Sequence, residues 1–498
     1  MNVNPITRLD YPDPDVIRVE DTYYMVSTTM HFMPGCEILQ SFDLVHWEHV
    51  TYVYETLDHT DAQQLKSGQN IYGQGMWAAS LRYHEGRFCI CFVANDTRKT
   101  YLYTSEKIDG PWKKQLIEGF YHDGSLLFDE DGRNYIVYGN DEIWITELNE
   151  DLTAPKKDGL HRLLVSDHKN PELGYEGSHI QKINGYYYIF LIHSLRDRWM
   201  RTEACFYSDS LEGEFTGGDV LCDDRGYCGQ GVAQGGIVDT PDGKWYAMLF
   251  QDSGAVGRIP ILLPVTWKDH FPVFGQNGHV PEEIEVHSTR PGYIYQPLVG
   301  SDDFCNGLLP RWQFNHDPDP RYYHLDALQG TYTITTREVC TELTQAVNTL
   351  TQRMSYPSCA AEVTVDASAL KEGDVAGLCA LQSCYAAVGI TKHHGKYEVL
   401  MLDKKEDGIL DMTEGTVVES HQMDFRLEAD FSNMKDEARC YYRVNKGDWL
   451  PIGTVHKLYF KLDHFTGCRF GLFCYAAEET GGSACFRDFK YYDVDEIS

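Results

Sequence analysis

Apolar and polar positions alternate with a period of two along most of this chain, in short runs rich in Tyr, Phe, Ile and Val. Asp-Gly, Asn-Gly and Glu-Gly pairs break the runs. This is the pattern of strands joined by tight turns. Stretches with a helical period are almost absent, so the pattern predicts an all-β chain. Five segments in the first half repeat one plan: 13–26, 77–92, 123–137, 176–190 and 234–248. Each predicts a strand, a turn at Asp21, Gly86, Gly132, Gly185 or Gly243, and a second, aromatic strand, which is a β-hairpin. The turn residues are 65, 46, 53 and 58 positions apart. Repeats of that length, each with room for four strands, predict a five-bladed β-propeller over residues 1–298.

The pattern changes around residues 290–303, where Arg290-Pro291-Gly292 and the stretch 297–303 read as a linker. Beyond it, alternating strands are expected at 330–336, 360–365, 376–381, 386–391, 397–402, 422–430, 438–443, 456–462 and 468–475. So many short strands between turn signals predict a β-sandwich of about 195 residues, spanning 299–498.

Composition narrows the function classes. Of 498 residues, 42% are hydrophobic and 24% charged, as in an ordinary globular protein. Aromatic content is 13%, including 33 Tyr and 9 Trp, residues that build strands and also offer flat faces for stacking. The formal net charge of −32 opposes a phosphate backbone, so nucleic acid is not the expected partner and a neutral ligand fits better. No run approaches the ~18 apolar residues of a membrane helix, and the start, Met1 to Pro5, lacks the basic and apolar regions of a signal peptide. The 15 cysteines are scattered without a CxxC pair, which predicts reduced thiols and, with the start, a cytoplasmic protein. A homo-oligomer remains open.

The phase of the five repeats points to chemistry. Nine residues before the turn glycine stand Trp77, Asp123, Glu176 and Gln234, and Asp13 stands eight before Asp21. Equivalent positions in a radial repeat lie at equivalent depth, so all five are expected to ring the central channel. Packing positions would be apolar, and four of the five are not. Asp15, two residues from Asp13 and on the same strand face, is a rival to it. Three carboxylates suit hydrolysis of a glycosidic bond. One carboxyl gives a proton to the leaving oxygen, another activates water, and a third holds up the pKa of the acid. Glu176, the longest side chain, is the natural acid. His122 and His179 flank the carboxylates as hydrogen-bonding partners. Asp129-Glu130-Asp131-Gly132 reads as a hairpin turn without calcium-loop spacing. HExxH, P-loop, GxGxxG and GxSxG motifs are absent.

At this point the first ~300 residues resemble glycoside hydrolase family 43. The motifs are Tyr11-Pro12-Asp13-Pro14-Asp15 leading to Tyr23-Tyr24, Pro34-Gly35 followed by Ser41 to Trp47, Gly75-Met76-Trp77-Ala78, His122-Asp123-Gly124-Ser125-Leu126, Tyr175-Glu176-Gly177-Ser178-His179 and Val256-Gly257-Arg258. The second half, with Leu350 to Arg353 and Ala376-Gly377-Leu378, resembles the lectin-like sandwich of the family's β-xylosidase and α-L-arabinofuranosidase branch. The resemblance implies an inverting enzyme with Asp13 as general base, Asp123 as pKa modulator and Glu176 as general acid. It implies Arg258 as a partner of the sugar hydroxyls, and Phe32 and Trp77 as walls of the −1 pocket. The chemistry would need no cofactor. Many members place a histidine beside a channel calcium where this chain has Gln234, which makes Gln234 the candidate metal ligand. The implied substrate is a pentose-containing oligosaccharide, trimmed from its end. Three rivals stand beside this reading: an endo-arabinanase, which would want an open cleft; a non-catalytic carbohydrate-binding propeller, which would have lost a carboxylate; and a fructan-cleaving propeller, whose Asn-Asp-Pro-Asn-Gly opening is absent.

Overall fold

A computed structural model describes residues 2–493. The five hairpins are the starts of five four-stranded antiparallel sheets, built from consecutive strands except in the first, which skips Phe32–Met33. Their first strands are Asp15–Val19, Ser80–His84, Ser125–Phe128, Glu176–Ile183 and Ile237–Asp239. All five line one end of a central channel, around a cavity of about 410 Å³. These are the blades of a propeller, and the predicted turn residues fall between the first and second strand of each.

Blade packing explains the unbroken apolar runs. Side chains alternate across a strand, and a blade is covered on both faces by its neighbours. In the second strand of blade two, Ile90 and Phe92 face the core shared with blade one, while Cys89 and Cys91 face the core shared with blade three. In blade four, Ile189 and Leu191 face blade three, while Tyr188 and Phe190 face blade five. Val16, Tyr23 and Met25 meet Val238, Tyr246 and Met248 to close the ring. All cysteines are free, and Cys89 and Cys91 are buried packing residues. Among the described residues no helix is long and apolar enough to cross a membrane.

The second half is a two-sheet sandwich. One sheet runs from Tyr323–Asp326 through Thr331–Thr335, Ser483–Asp493, Ser358–Asp366, Gln422–Asp430 and Glu437–Val444 to Leu450–Lys457. The facing sheet contains Lys396–Lys404, Tyr385–His393, Asp374–Leu381, Arg469–Ala476, Leu350–Arg353 and Gln313–Asn315, and ends on Phe32–Met33 of the propeller. Phe32 is opposite Asn315 and Met33 opposite Phe314, so one sheet spans both halves of the chain.

One strand expectation needs correction, and one long strand was not expected. The stretch expected at 456–462 is a strand at Leu450–Lys457, on the sheet edge, where Pro451 and Gly453 are tolerated. Ser483–Asp493 carries no expectation in the sequence because its alternation slips. Ala484 and Phe486 are buried, then Phe489 and Tyr491, with a bulge at Asp488 (φ 52°) between them.

A buried polar network fastens the sandwich to the propeller beside the channel mouth. The Arg353 guanidinium contacts Glu37 at 2.8 Å, donates from Nε to the Asp10 carbonyl at 2.9 Å, and lies over the Tyr11 ring. Asp10 in turn accepts from the backbone N–H of Arg258 (2.7 Å) and of Gly467 (2.8 Å). One carboxylate thus ties blade five and a sandwich loop to the start of blade one.

Candidate active site

The residues picked out by phase do meet at the channel mouth, and the backbone shows how. Asp13 (φ 53°) and Asp123 (φ 47°) each precede an inner strand by two residues in the left-handed region, and Gln234 (φ 61°) stands three before the fifth. A left-handed residue at a strand entrance re-aims its side chain at a cost of about 1 kcal/mol. In blade four Gly177 takes that conformation instead (φ 64°), and a Cβ there would lie 2.7 Å from Gln234 Cδ. Glu176, the residue before it, opens the strand itself.

Asp13 is 3% exposed and bound on both oxygens. Arg258 Nη1 donates to Oδ1 at 2.6 Å and Thr28 Oγ1 to Oδ2 at 2.5 Å. Its rival Asp15 is fully occupied elsewhere, taking Arg82 Nη1 at 2.8 Å, the Leu81 N–H at 2.7 Å and His179 Nδ1 at 3.1 Å. Burial pushes the Asp15 carboxyl up, but Arg82 and His179 outweigh it and the net shift is downward. Asp15 and His179 are therefore structural.

Asp123, Glu176 and His122 form one cluster. His122 Nε2 lies 3.5 Å from Asp123 Oδ2 and 3.5 Å from Glu176 Oε2. Asn140 Nδ2 donates to Glu176 Oε2 at 2.6 Å, and the Gly177 N–H to Asp123 Oδ2 at 2.9 Å. Burial raises Asp123 to about 6, opposed by His122 and reinforced by the negative charges of Glu176 and Asp13. Burial alone would push His122 down, but Asp123 and Glu176 outweigh it and raise the imidazole to about 9. For Glu176 the balance runs against the sequence expectation. Burial raises it, yet the contact with His122 and the charges of Arg201 and Arg258 bring it below its ordinary value. After burial, the contact with His122 is the largest influence on Glu176, and it acts downward.

Trp77 keeps a partly open face, its ring edge-on to His122 with centroids 6.1 Å apart. Phe32 departs from expectation. It is 1% exposed, and one ring face lies 3.5 Å from the Arg469 guanidinium carbon. It is a support beneath the pocket, because its paired strand and Arg469 leave no ring surface open. Arg258 is held by Asp13, by Asp252 (3.3 Å) and by the ring of Phe465, 3.8 Å from its guanidinium carbon.

Phe465 and Arg201 were missed in the sequence. Phe465 comes from the sandwich and stands 5.2 Å, centroid to centroid, from Trp77, so the sandwich closes one side of the pocket. Arg201 pairs with Asp252 beside Arg258. Neither carries a sequence signal, since both reach the site through long-range packing. A Phe465→Ala enzyme should lose activity mainly through a raised KM, checked by steady-state kinetics, because the lost contact is a pocket wall and every carboxylate stays in place.

The expected calcium does not fit the residues around Gln234. A hard cation takes six to eight oxygens, several of them anionic. Gln234 offers one neutral amide oxygen. The carboxyl bound to its backbone N–H is Glu203, which is fully buried, with its pKa pushed far up by that burial. Among the described residues, the one group of donors close enough for an ion is His122, Asp123 and Glu176, which does not include Gln234. No step is routed through a metal.

A propeller channel with converging carboxylates, an arginine pair and an aromatic wall defines a glycoside hydrolase. The family model described as "Glycosyl hydrolases family 43" matches residues 3–272, and the "Beta xylosidase C-terminal Concanavalin A-like domain" matches 301–492. The chain belongs to glycosyl hydrolases family 43. A "Beta-xylosidase" of Formosa agariphila is 26% identical, covering 99% of this chain and 89% of its own length. A "Non-reducing end alpha-L-arabinofuranosidase" of Bacteroides ovatus is 24% identical, covering 82% and 79%. Among solved structures, a bifunctional GH43-CE protein of Bacteroides eggerthii superposes with TM-score 0.91 at 42% identity over 99% of this chain, which spans 63% of that longer protein. A GH43 enzyme engineered for endo-xylanase and exo-arabinofuranosidase activity gives 0.88 at 26% identity, covering 99% of both chains.

Proposed function

We propose that the protein is an exo-acting, inverting hydrolase that releases terminal α-L-arabinofuranose, β-D-xylose or both from xylan-derived oligosaccharides. The observation that carries this reading is the meeting of Asp13, Asp123 and Glu176 in a pocket walled on one side by Phe465 of the sandwich. A wall on one side suits a chain end and disfavours an endo-arabinanase cleft. All three carboxylates are in place, which disfavours a purely binding propeller. Similarity to relatives named for xylose and arabinose release supports the pentose.

In this reading Asp13 is the base. Its two oxygens are pinned by Arg258 and Thr28, and each keeps a lone pair for a water. Water attacks the anomeric carbon as the glycosidic bond breaks, and its proton passes to Asp13. Glu176 gives a proton to the departing oxygen from the opposite face. Asp123, tied to the Gly177 N–H, orients the sugar and keeps the anionic field that retains protons in the cluster. Arg258 and Arg201 hold the hydroxyl side of the pocket.

The test is hydrolysis of 4-nitrophenyl α-L-arabinofuranoside and 4-nitrophenyl β-D-xylopyranoside, each with and without a calcium chelator. Cleavage of at least one is expected, at a rate the chelator leaves unchanged. Inactivity on both would refute the proposal. Formation of the β-anomer from the arabinoside, or the α-anomer from the xyloside, followed by NMR, checks inversion.

A further inference from the structure

The cluster at the channel mouth holds a histidine that the roles above leave without one. His122 sits one residue before Asp123, at the end of the loop that enters blade three. Its carbonyl is fixed by the Gly139 N–H at 3.0 Å, and its ring is bounded by Trp77. Its Nε2 is equidistant, at 3.5 Å, from the carboxyls of Asp123 and Glu176. Its side chain is 21% exposed, as is that of Glu176, whereas Asp123 is 7% exposed, so the imidazole and the acid share the cluster's route to solvent. The charged groups that act on it most strongly are anionic: Asp123, Glu176 and then Asp13. The cations of the site, Arg201 and Arg258, face Glu176 from blades four and five.

We propose that His122 is a positioning residue that stores the acid's proton: between turnovers the proton rests on Nε2, and it passes to Glu176 when the sugar fills the pocket. This rests on the activity reading above, in which Glu176 is the acid. The proton count closes. In the resting cluster His122 is an imidazolium and Glu176 a carboxylate. Entry of a neutral sugar expels water from that ion pair, and a neutral imidazole beside a carboxylic acid is then the cheaper state to bury. The Nε2–H bond breaks and an O–H bond forms on Glu176, across a gap that tightens on substrate binding. Glu176 then delivers the proton to the leaving oxygen. The attacking water's proton leaves from Asp13 to solvent, and a solvent proton returns to His122 through its exposed edge. The histidine keeps a proton beside Glu176, whose own carboxyl the same contact holds below its ordinary value.

The pH profile separates this role from a structural one. In the unmodified enzyme the alkaline limb of kcat/KM should reflect loss of the shared proton, near the His122 value of about 9. In His122→Asn, Glu176 must hold the proton alone. Loss of the imidazolium raises the carboxyl's own value, and the limb should move down from the His122 value because the base that held the proton is gone. The loss of rate at pH 8 should be larger for xylobiose, or its arabinosyl counterpart, than for the nitrophenyl glycoside. In His122→Gly, added imidazole should restore part of the rate on the poor leaving group. A limb that stays where it was, or no rescue, overturns the proposal. A second measurement needs no substrate and no active enzyme: NMR of 15N-labelled imidazoles in the unmodified protein and in Glu176→Gln. His122 should titrate above about 8 and fall by at least about one unit when Glu176 loses its charge. A His122 that is neutral at pH 7, or indifferent to Glu176→Gln, overturns the proposal whatever the enzyme's substrate. Inactivity on both aryl pentosides, with His122 titrating as expected, is a failure of the activity reading alone.

Discussion

Asp13→Ala should lower kcat by about 10³- to 10⁴-fold on every substrate, aryl glycoside and oligosaccharide alike. Water attack is needed whatever the leaving group, and no other carboxylate can take over. Asp15, the nearest in sequence, is spent on Arg82, Leu81 and His179. Asp123 is held by Gly177 and faces His122. The fold should survive, because Arg258 keeps Asp252 and the Phe465 ring when Asp13 is removed. Circular dichroism and a thermal melt check that, and steady-state kinetics on both substrate types check the uniform loss. A loss confined to poor leaving groups would remove Asp13 from the role of base.

Glu176→Ala should show the opposite profile. Hydrolysis of xylobiose or its arabinosyl counterpart should fall by about 10²- to 10⁴-fold, because an alkoxide is a poor leaving group without a proton. The 4-nitrophenyl glycoside should lose far less, since nitrophenolate departs without help. The alkaline limb of the profile on the aryl substrate should flatten, as the proton stored on His122 has no acid to pass through. The substitution removes the acceptor of Asn140 and the anion beside His122, so the imidazole should become easier to deprotonate, in the direction worked out above. Equal losses on both substrates would contradict the assignment of Glu176 as acid.

The propeller was legible because each blade begins with the same local event. A hairpin turn at Asp21, Gly86, Gly132, Gly185 or Gly243 and an aromatic second strand are short-range features, and all five appear as read. The channel residues were legible through their phase from those turns. The structure adds that phase alone is insufficient. Asp13, Asp123 and Gln234 point into the mouth because their backbones turn left-handed there, and sequence does not display φ. Asp15 shows the same limit, since only the positions of Arg82 and His179 from other blades remove it from candidacy. What the sequence hid was everything carried across the two halves of the chain. Phe465 is 207 positions from Arg258, the residue it covers, and Phe32 turned out to be a support because Arg469 occupies its face. The acidity of the cluster was hidden for the same reason. His122 was visible as a neighbour, but its weight against Asp123 depends on two 3.5 Å separations.

The strand pairing of Phe32–Met33 with Gln313–Asn315 has a consequence for how such an enzyme can be altered. A linker between separable modules lets either be exchanged, shortened or fused elsewhere. Here the residues on either side of that seam, Asp10, Arg353 and Gly467, set the spacing between the Asp13 loop and Phe465. The sandwich is therefore less a passenger than a jaw of the same vice. Changes in chain-end preference can arise by drift in residues 463–468 with the carboxylates untouched, whereas transplanting a foreign sandwich would have to reproduce the seam before it could confer anything.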